Sequence, residues 1–240
     1  MKKELVPTGK LRIGVAYAPA PTPVFVAKDA RGEVHGVPLD LGTALAKSLG
    51  VPSEITVAAT TGELTDALSS GAIDVAFMPA DAERRTRVDF SPAYFIIECT
   101  YLALGSDIKT LADVDRSLVT VVCVAGSTTM RAATRSLKAA KVVAAKSVDE
   151  AMDLMRSGTA QAFALTHDSL PTLQKTLPGS RILDGAFQTT GVAIAVQKNR
   201  TAALAYVTGF IENAKANGIV RHAFNDAGLQ ALPIAPPESP

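Results

Sequence analysis

Three short segments of this 240-residue chain carry residue types able to hold a small charged molecule. Arg84, Arg85 and Arg87 crowd into four positions just past an apolar run. Arginine presents a planar fork that meets a carboxylate with two parallel hydrogen bonds. Such a cluster equally suits a solvated helix turn paired with Asp81 and Glu83. Gly126-Ser127-Thr128-Thr129 follows a second apolar run and precedes a helical pattern. Small residues there let backbone N–H groups and hydroxyls meet an anion at a helix N-terminus. The plain alternative is N-capping by Ser127 or Thr128. The segment is not a phosphate P-loop, because the GxxxxGK[ST] pattern is missing. His167-Asp168 ends a third apolar run. A carboxylate at a strand end can accept hydrogen bonds from an ammonium group, and it can also cap the helix that follows.

No metal or cofactor is expected. His35, His167 and His222 are scattered, and neither cysteine pairs with a histidine at metal-ligand spacing. Cys99 and Cys123 sit in apolar, strand-like runs and are expected as buried free thiols, with a disulfide left open.

The elements that must position these residues form an internal repeat. Residues 66–81 (DALSSGAIDVAFMPAD) and 153–168 (DLMRSGTAQAFALTHD) align without a gap at an offset of 87 residues. Each copy reads as an amphipathic helix, a Ser-Gly stop, a short apolar strand and a polar residue just past its end. Two such units imply two α/β lobes. Open parallel sheets bind ligands at strand ends, so the lobes are expected to face each other across a cleft. Units of this kind share composition, and a chance match is the alternative.

Along the rest of the chain, residues 11–17 read as a first strand, followed by a proline-rich fixed loop over 18–26. A short hairpin turns at Gly32, and a helix with Leu41, Ala44, Leu45 and Leu49 on one face stops at Gly50. Ser91-Pro-Ala-Tyr94 interrupts the pattern before a long apolar run at 95–105. A buried strand is expected at 118–124, a helix from there to about 141, and a short helix over 168–177. A second long strand at 191–199 leads to a helix capped by Asn199. The tail from 231 is proline-rich and expected to be loosely ordered.

Composition excludes several classes. Lys+Arg (24) nearly balance Asp+Glu (23), which argues against a nucleic-acid surface or a polybasic anchor. Hydrophobic residues make up 48%, enough for a sizeable core, and aromatic residues only 5%. No apolar stretch approaches the roughly 18 residues of a membrane span, and no signal peptide is visible. A cytoplasmic protein and one whose signal has been removed both fit.

Over about residues 11–224 the chain resembles the family 3 extracellular solute-binding proteins, the periplasmic receptors of amino-acid uptake. The carrying segments are LRIGVA, GVPLDLGTALAKSLG, the D-x-E-R-x-x-x-V-D-F-S-P-A-Y stretch around Arg84, VAGSTT, His167-Asp168 and GVAIAVQKN. The resemblance implies an α/β periplasmic binding protein of type II with two hinge-crossing strands and a ligand cleft between lobes. It places lobe 1 at 1–101 with 193–240, and lobe 2 at 102–192. It assigns the ligand's carboxylate to Arg84, six residues before Phe90, and to Thr128 with Ser127 beside it. It assigns the ammonium to Asp168. Tyr17 is the candidate aromatic cover, and Phe77, Met78 and Pro79 are counted with the ligand-binding residues. The usual Thr or Ser before the arginine is replaced by Pro79 and Ala80. The implied role is binding, not catalysis: hinge closure on a carboxylated solute, most simply an amino acid, and delivery to an ABC transporter permease. The protein would be a periplasmic or extracellular monomer. An elimination enzyme similar to cyclohexadienyl dehydratase on the same scaffold, or a ligand-sensing domain, are the alternatives.

Overall fold

Parallel strands cannot be joined by tight turns, so each must be followed by a crossover, usually a helix. That plan appears twice in the computed structural model, which describes residues 2–17 and 20–237. The chain divides into one unit up to Ile96 and again from Thr190, and a second unit of Ile97–Thr189. These limits fall a few residues before the 101/102 and 192/193 boundaries expected from the sequence.

The first unit begins with α1 (Lys2–Leu5) and β1 (Leu11–Ala16). Ala18 and Pro19 of the proline-rich loop lie outside the described residues. The rest of that loop is anchored, with Val24, Phe25 and Val26 all buried. The hairpin of β2 (Ala27–Lys28) and β3 (Val34–His35) follows, then α2 (Val37–Leu49), which stops at left-handed Gly50. Next come β4 (Ser53–Ala58), α3 (Thr61–Ser70), β5 (Val75–Pro79), α4 (Ala82–Arg85) and β6 (Val88–Leu104). β4 and β5 flank β1, both parallel to it. Leu64 and Leu68 of α3 pack onto Ile73, Ala76 and Met78. β6 runs unbroken through Ser91-Pro92, where an interruption was expected. The Ser91 hydroxyl explains this: it donates to Pro92 O at 2.8 Å and accepts the Ile194 N–H at 3.1 Å.

The second unit continues from the end of β6 through a 3-10 turn (Leu111–Val114) to β7 (Thr120–Val124) and α5 (Thr128–Ser136). It goes on with β8 (Lys141–Ala145), α6 (Val148–Arg156), β9 (Ala162–Thr166), α7 (Leu170–Gln174) and β10 (Ser180–Ile182). β8 and β9 flank β7, both parallel to it, as β4 and β5 flank β1. β6 and β9 pair antiparallel, and β10 pairs antiparallel with β6. Two expectations fail here. The helix expected to reach about 141 ends at Ser136, because Leu137 is already extended, and the β-branched Val142 and Val143 lie in strand β8. Leu118, placed by its apolar character in a buried strand, is 92% exposed in the turn before β7.

The chain returns to the first unit along β11 (Gln188–Gln197), then α8 (Thr201–Ala216) and α9 (Ile219–Asp226). β11 pairs antiparallel with β5, Val192 opposite Pro79 and Val196 opposite Val75. Asn199 does not cap α8. It sits in the left-handed region at φ 64, Arg200 is the N-cap, and Glu4 accepts the Ala203 N–H at 3.0 Å. The two repeat copies therefore occupy the same place in the two units. Each supplies the third parallel strand, and each helix stops at a left-handed glycine, Gly71 at φ 79 and Gly158 at φ 73. Among the described residues no helix is long and apolar enough to cross a membrane.

The tail is held, contrary to the loose order expected, as far as Pro236; residues 238–240 lie outside the described residues. Ala235 N–H donates to Tyr94 O at 2.9 Å. The buried ammonium of Lys215 donates to Pro236 O at 2.9 Å and to Ala93 O at 3.2 Å, and forms an ion pair with Glu212. Lys215→Met should therefore shift the urea midpoint by about 1.5–3 kcal/mol of stability, the scale of a hydrogen bond to a charged group. Lys138→Met, on an exposed side chain, should stay within about 0.5 kcal/mol. Equal shifts would show that the Lys215 clip is not what fastens the tail.

Candidate functional site

The three arginines, indistinguishable in sequence, have three different surroundings. Arg84 is 3% exposed, whereas Arg85 and Arg87 are on the surface. Asp81 caps the short helix α4 by accepting the Arg84 N–H at 2.8 Å, which fixes where the side chain starts. Its guanidinium then donates to Pro79 O at 2.9 Å and to Thr61 Oγ1 at 2.7 Å. These two contacts orient the fork. Arg85 lies over the Phe90 ring, 5.3 Å from its centroid, and Arg87 pairs with Asp66 at 2.8 Å.

Every partner of this arrangement stands just past the carboxyl end of a parallel strand. Pro79 closes β5, Thr61 opens α3 after β4, and Tyr17 follows β1 with its N–H on Ala58 O at 3.2 Å. Pro79 is tolerated there because Ala80 supplies the next N–H, to Gly191 O at 2.8 Å; the position of Pro79 contributes only a carbonyl. Tyr17 is half-buried, with the Lys28 ammonium 5.9 Å from its ring centroid. Phe77 and Met78, counted with the binding residues from sequence, are core side chains. Phe77 is 1% exposed and meets Tyr94 edge-on at 6.1 Å. Met78 is fully buried under α3, with Thr65 Oγ1 3.5 Å from its sulfur.

In the second unit the corresponding strand ends carry the other candidates. Ser127 caps α5: it accepts the Met130 N–H at 3.0 Å and donates its only proton to Val124 O at 2.7 Å. Thr128 and Thr129 open the helix and are buried. Thr129 Oγ1 lies 3.3 Å from Cys99 Sγ, and Cys99 stands opposite Thr166 in the β6–β9 ladder. Both cysteines are free; burial pushes the Cys99 thiol up to about 11 and the Cys123 thiol to about 12. Neither is a ready nucleophile.

Asp168 follows β9 as Asp81 follows β5. It does not cap α7, whose N-cap is Ser169. Ser169 Oγ lies 3.3 Å from Asp168 Oδ2 and 2.9 Å from Thr166 Oγ1. Among the described residues no lysine or arginine nitrogen comes within 4.0 Å of this carboxylate. Burial raises its pKa above the ordinary 3.8; the hydroxyls of Thr166 and Ser169, a backbone N–H and the nearby His167 oppose the shift without cancelling it. Thr61, Thr166 and Ser169 were missed from sequence. Thr61 had a signal, because Thr60-x-x-Glu63 is a capping box that starts a helix at Thr61, and Glu63 N–H does bond Thr60 Oγ1 at 3.2 Å.

The fold is the mixed α/β architecture of the two-lobed periplasmic binding proteins. The chain belongs to the bacterial extracellular solute-binding proteins, family 3, whose model matches residues 11–226. Solved structures agree. A mutant of the arginine-binding protein ArgBP from T. maritima is similar with a TM-score of 0.79 and 25% identity, over 94% of this chain and 98% of that one. An ancestral arginine-binding protein bound to arginine has a TM-score of 0.78 and 29% identity, over 91% and 97%. An ancestral amino acid-binding protein described as a precursor of cyclohexadienyl dehydratase has a TM-score of 0.76 and 28% identity, over 93% and 97%. A comparison with curated proteins found no match.

The raised pKa of Asp168 has a measurable sign. The folded state holds this proton more tightly than the unfolded chain, so stability is lost as pH rises from the ordinary 3.8 through the raised value. Asp168→Asn keeps the shape without the charge. At neutral pH it should raise the melting temperature of the ligand-free protein by about 2–4 °C for each kcal/mol of relieved burial. At a pH below both values the gain should vanish. A variant less stable than wild type at neutral pH would show that the ionised carboxylate is satisfied within the protein.

Proposed function

We propose that this chain binds an amino acid and delivers it to the permease of an ABC transporter. Arg84 takes the α-carboxylate with help from Thr128, Asp168 takes the α-ammonium, and Tyr17 covers the side chain. The observation that carries the proposal is that equivalent strand ends of the two units carry opposite charges. A buried arginine oriented by Pro79 and Thr61 follows the third parallel strand of one unit, and a half-buried carboxylate short of a cation follows that of the other. Family membership supports a periplasmic or extracellular location. Solved relatives described with arginine, glutamine or lysine bound support the ligand class. A ligand held from both units favours a closed state, because an open state lacks half of its contacts. The bends would fall where β6 and β11 pass between the units.

Calorimetry over an amino-acid panel tests this. Arg84→Lys keeps the charge and loses the fork, and should weaken binding by about 1.5–3 kcal/mol. Arg85→Ala and Arg87→Ala should each cost about 0–1. Equal losses at all three positions would remove Arg84 as the carboxylate clamp. Small-angle scattering should show a smaller radius of gyration at saturating ligand, and an unchanged profile with binding confirmed would refute closure.

The proton affinity of Asp168 also suits a general acid, which is the one observation favouring an elimination enzyme. Asp168→Asn separates the two readings. For a receptor it should weaken amino acids and spare the matching deaminated carboxylates. For an enzyme it should abolish product formation, followed by mass spectrometry, while leaving substrate binding nearly intact.

A further inference from the structure

The end of the first unit's strands away from Pro79 and Thr61 carries a second collection of cations. β11 runs antiparallel to β5, so its end at Gln197 lies near the start of β5, away from Pro79 and Thr61. There Ser69, Arg87, Gln197, Lys198, Asn199 and Arg200 line a cavity of about 340 Å³. No carboxylate is among those lining residues. Asn199 makes the turn possible: its left-handed backbone, at φ 64, lets β11 reverse directly into α8 and sets Lys198 and Arg200 on either side of the bend.

The local charges do not cancel. Arg87 pairs with Asp66 at 2.8 Å, and Lys198 with Asp89 at 2.6 Å. Arg200 donates only to the neutral Gln197 Oε1, at 3.3 Å, and Arg85 lies over Phe90. Among the described residues no carboxylate oxygen comes within 4.0 Å of either Arg85 or Arg200. Four cations, Arg85, Arg87, Lys198 and Arg200, thus stand with three carboxylates, Asp66, Asp89 and Glu4, at one edge of a chain whose net charge is only +1. The third nearby acid, Glu4, is engaged at the Ala203 N–H. The same turn opens the 16-residue α8, whose N-cap Arg200 offers no side-chain acceptor, so Glu4 serves the Ala203 N–H alone among the first-turn groups described.

We propose that this cavity binds a phosphate group, either free phosphate or the headgroup of an anionic lipid. A monocarboxylate is matched by one arginine fork. A tetrahedral dianion accepts from several directions at once, which suits Arg87, Lys198 and Arg200 arriving from two separate segments. The site is separate from the amino-acid site and does not depend on it.

The test uses the full chain with inorganic phosphate at low ionic strength. Amide NMR signals of 198–202 should shift saturably in wild type. Arg200→Glu should weaken that binding roughly tenfold or more, the loss of one charge-assisted hydrogen bond, and Arg200→Gln should weaken it less. Cosedimentation with phosphatidylglycerol and with phosphatidylcholine vesicles separates the sources. Retention on the anionic vesicles that is lost in Arg200→Glu identifies a lipid headgroup. Saturable phosphate binding without vesicle retention identifies the free ion. Absence of both, or binding indifferent to Arg200→Glu, overturns the proposal.

Discussion

A parallel strand must hand the chain to a crossover before its neighbour can pair, and this constraint shapes everything else in the molecule. It gathers the loops of three strands at one end of the parallel strands in each unit. In the first unit those loops hold Tyr17, Thr61, Pro79 and Arg84, and in the second Ser127, Thr128 and Asp168. The units share one order, with the second strand of each beside the first and the third on its other flank. A helix-strand module repeated in sequence therefore delivers its terminal polar residue to the same place in both.

Burial then differentiates chemically similar groups. Arg84, Arg85 and Arg87 differ in sequence only by position, yet one is enclosed and oriented by Pro79 O and Thr61 Oγ1 while the others meet a ring and a surface carboxylate. Hydroxyl contacts orient Asp168 but leave its charge in place, so it retains the desolvation penalty that raises its pKa. Burial acts the other way on Cys99 and Cys123, whose thiols are held protonated and inert.

The division of labour between sequence and structure follows the range of the forces involved. Apolar periodicity, the Ser-Gly stops and the repeat are local features, and they revealed the α/β class, both copies of the helix-strand module and the strand ends where Arg84 and Asp168 stand. Local pattern misled wherever a distant partner decided the outcome. Pro92 looked like a break until the Ser91 hydroxyl met Ile194, more than a hundred residues away, and the tail looked loose until Lys215 and Tyr94 held it. Strand β8 was hidden because Val142 and Val143 find their partners only across the ladder to β7. By itself the sequence determined which residue types stand past which strands. Only the tertiary structure decided that Arg84 and not its neighbours is enclosed, that Phe77 and Met78 belong to the core, and that Thr61, Thr166 and Ser169 orient the charged groups. Those choices depend on side-chain contacts between segments far apart in the chain, and spacing along one segment does not record them.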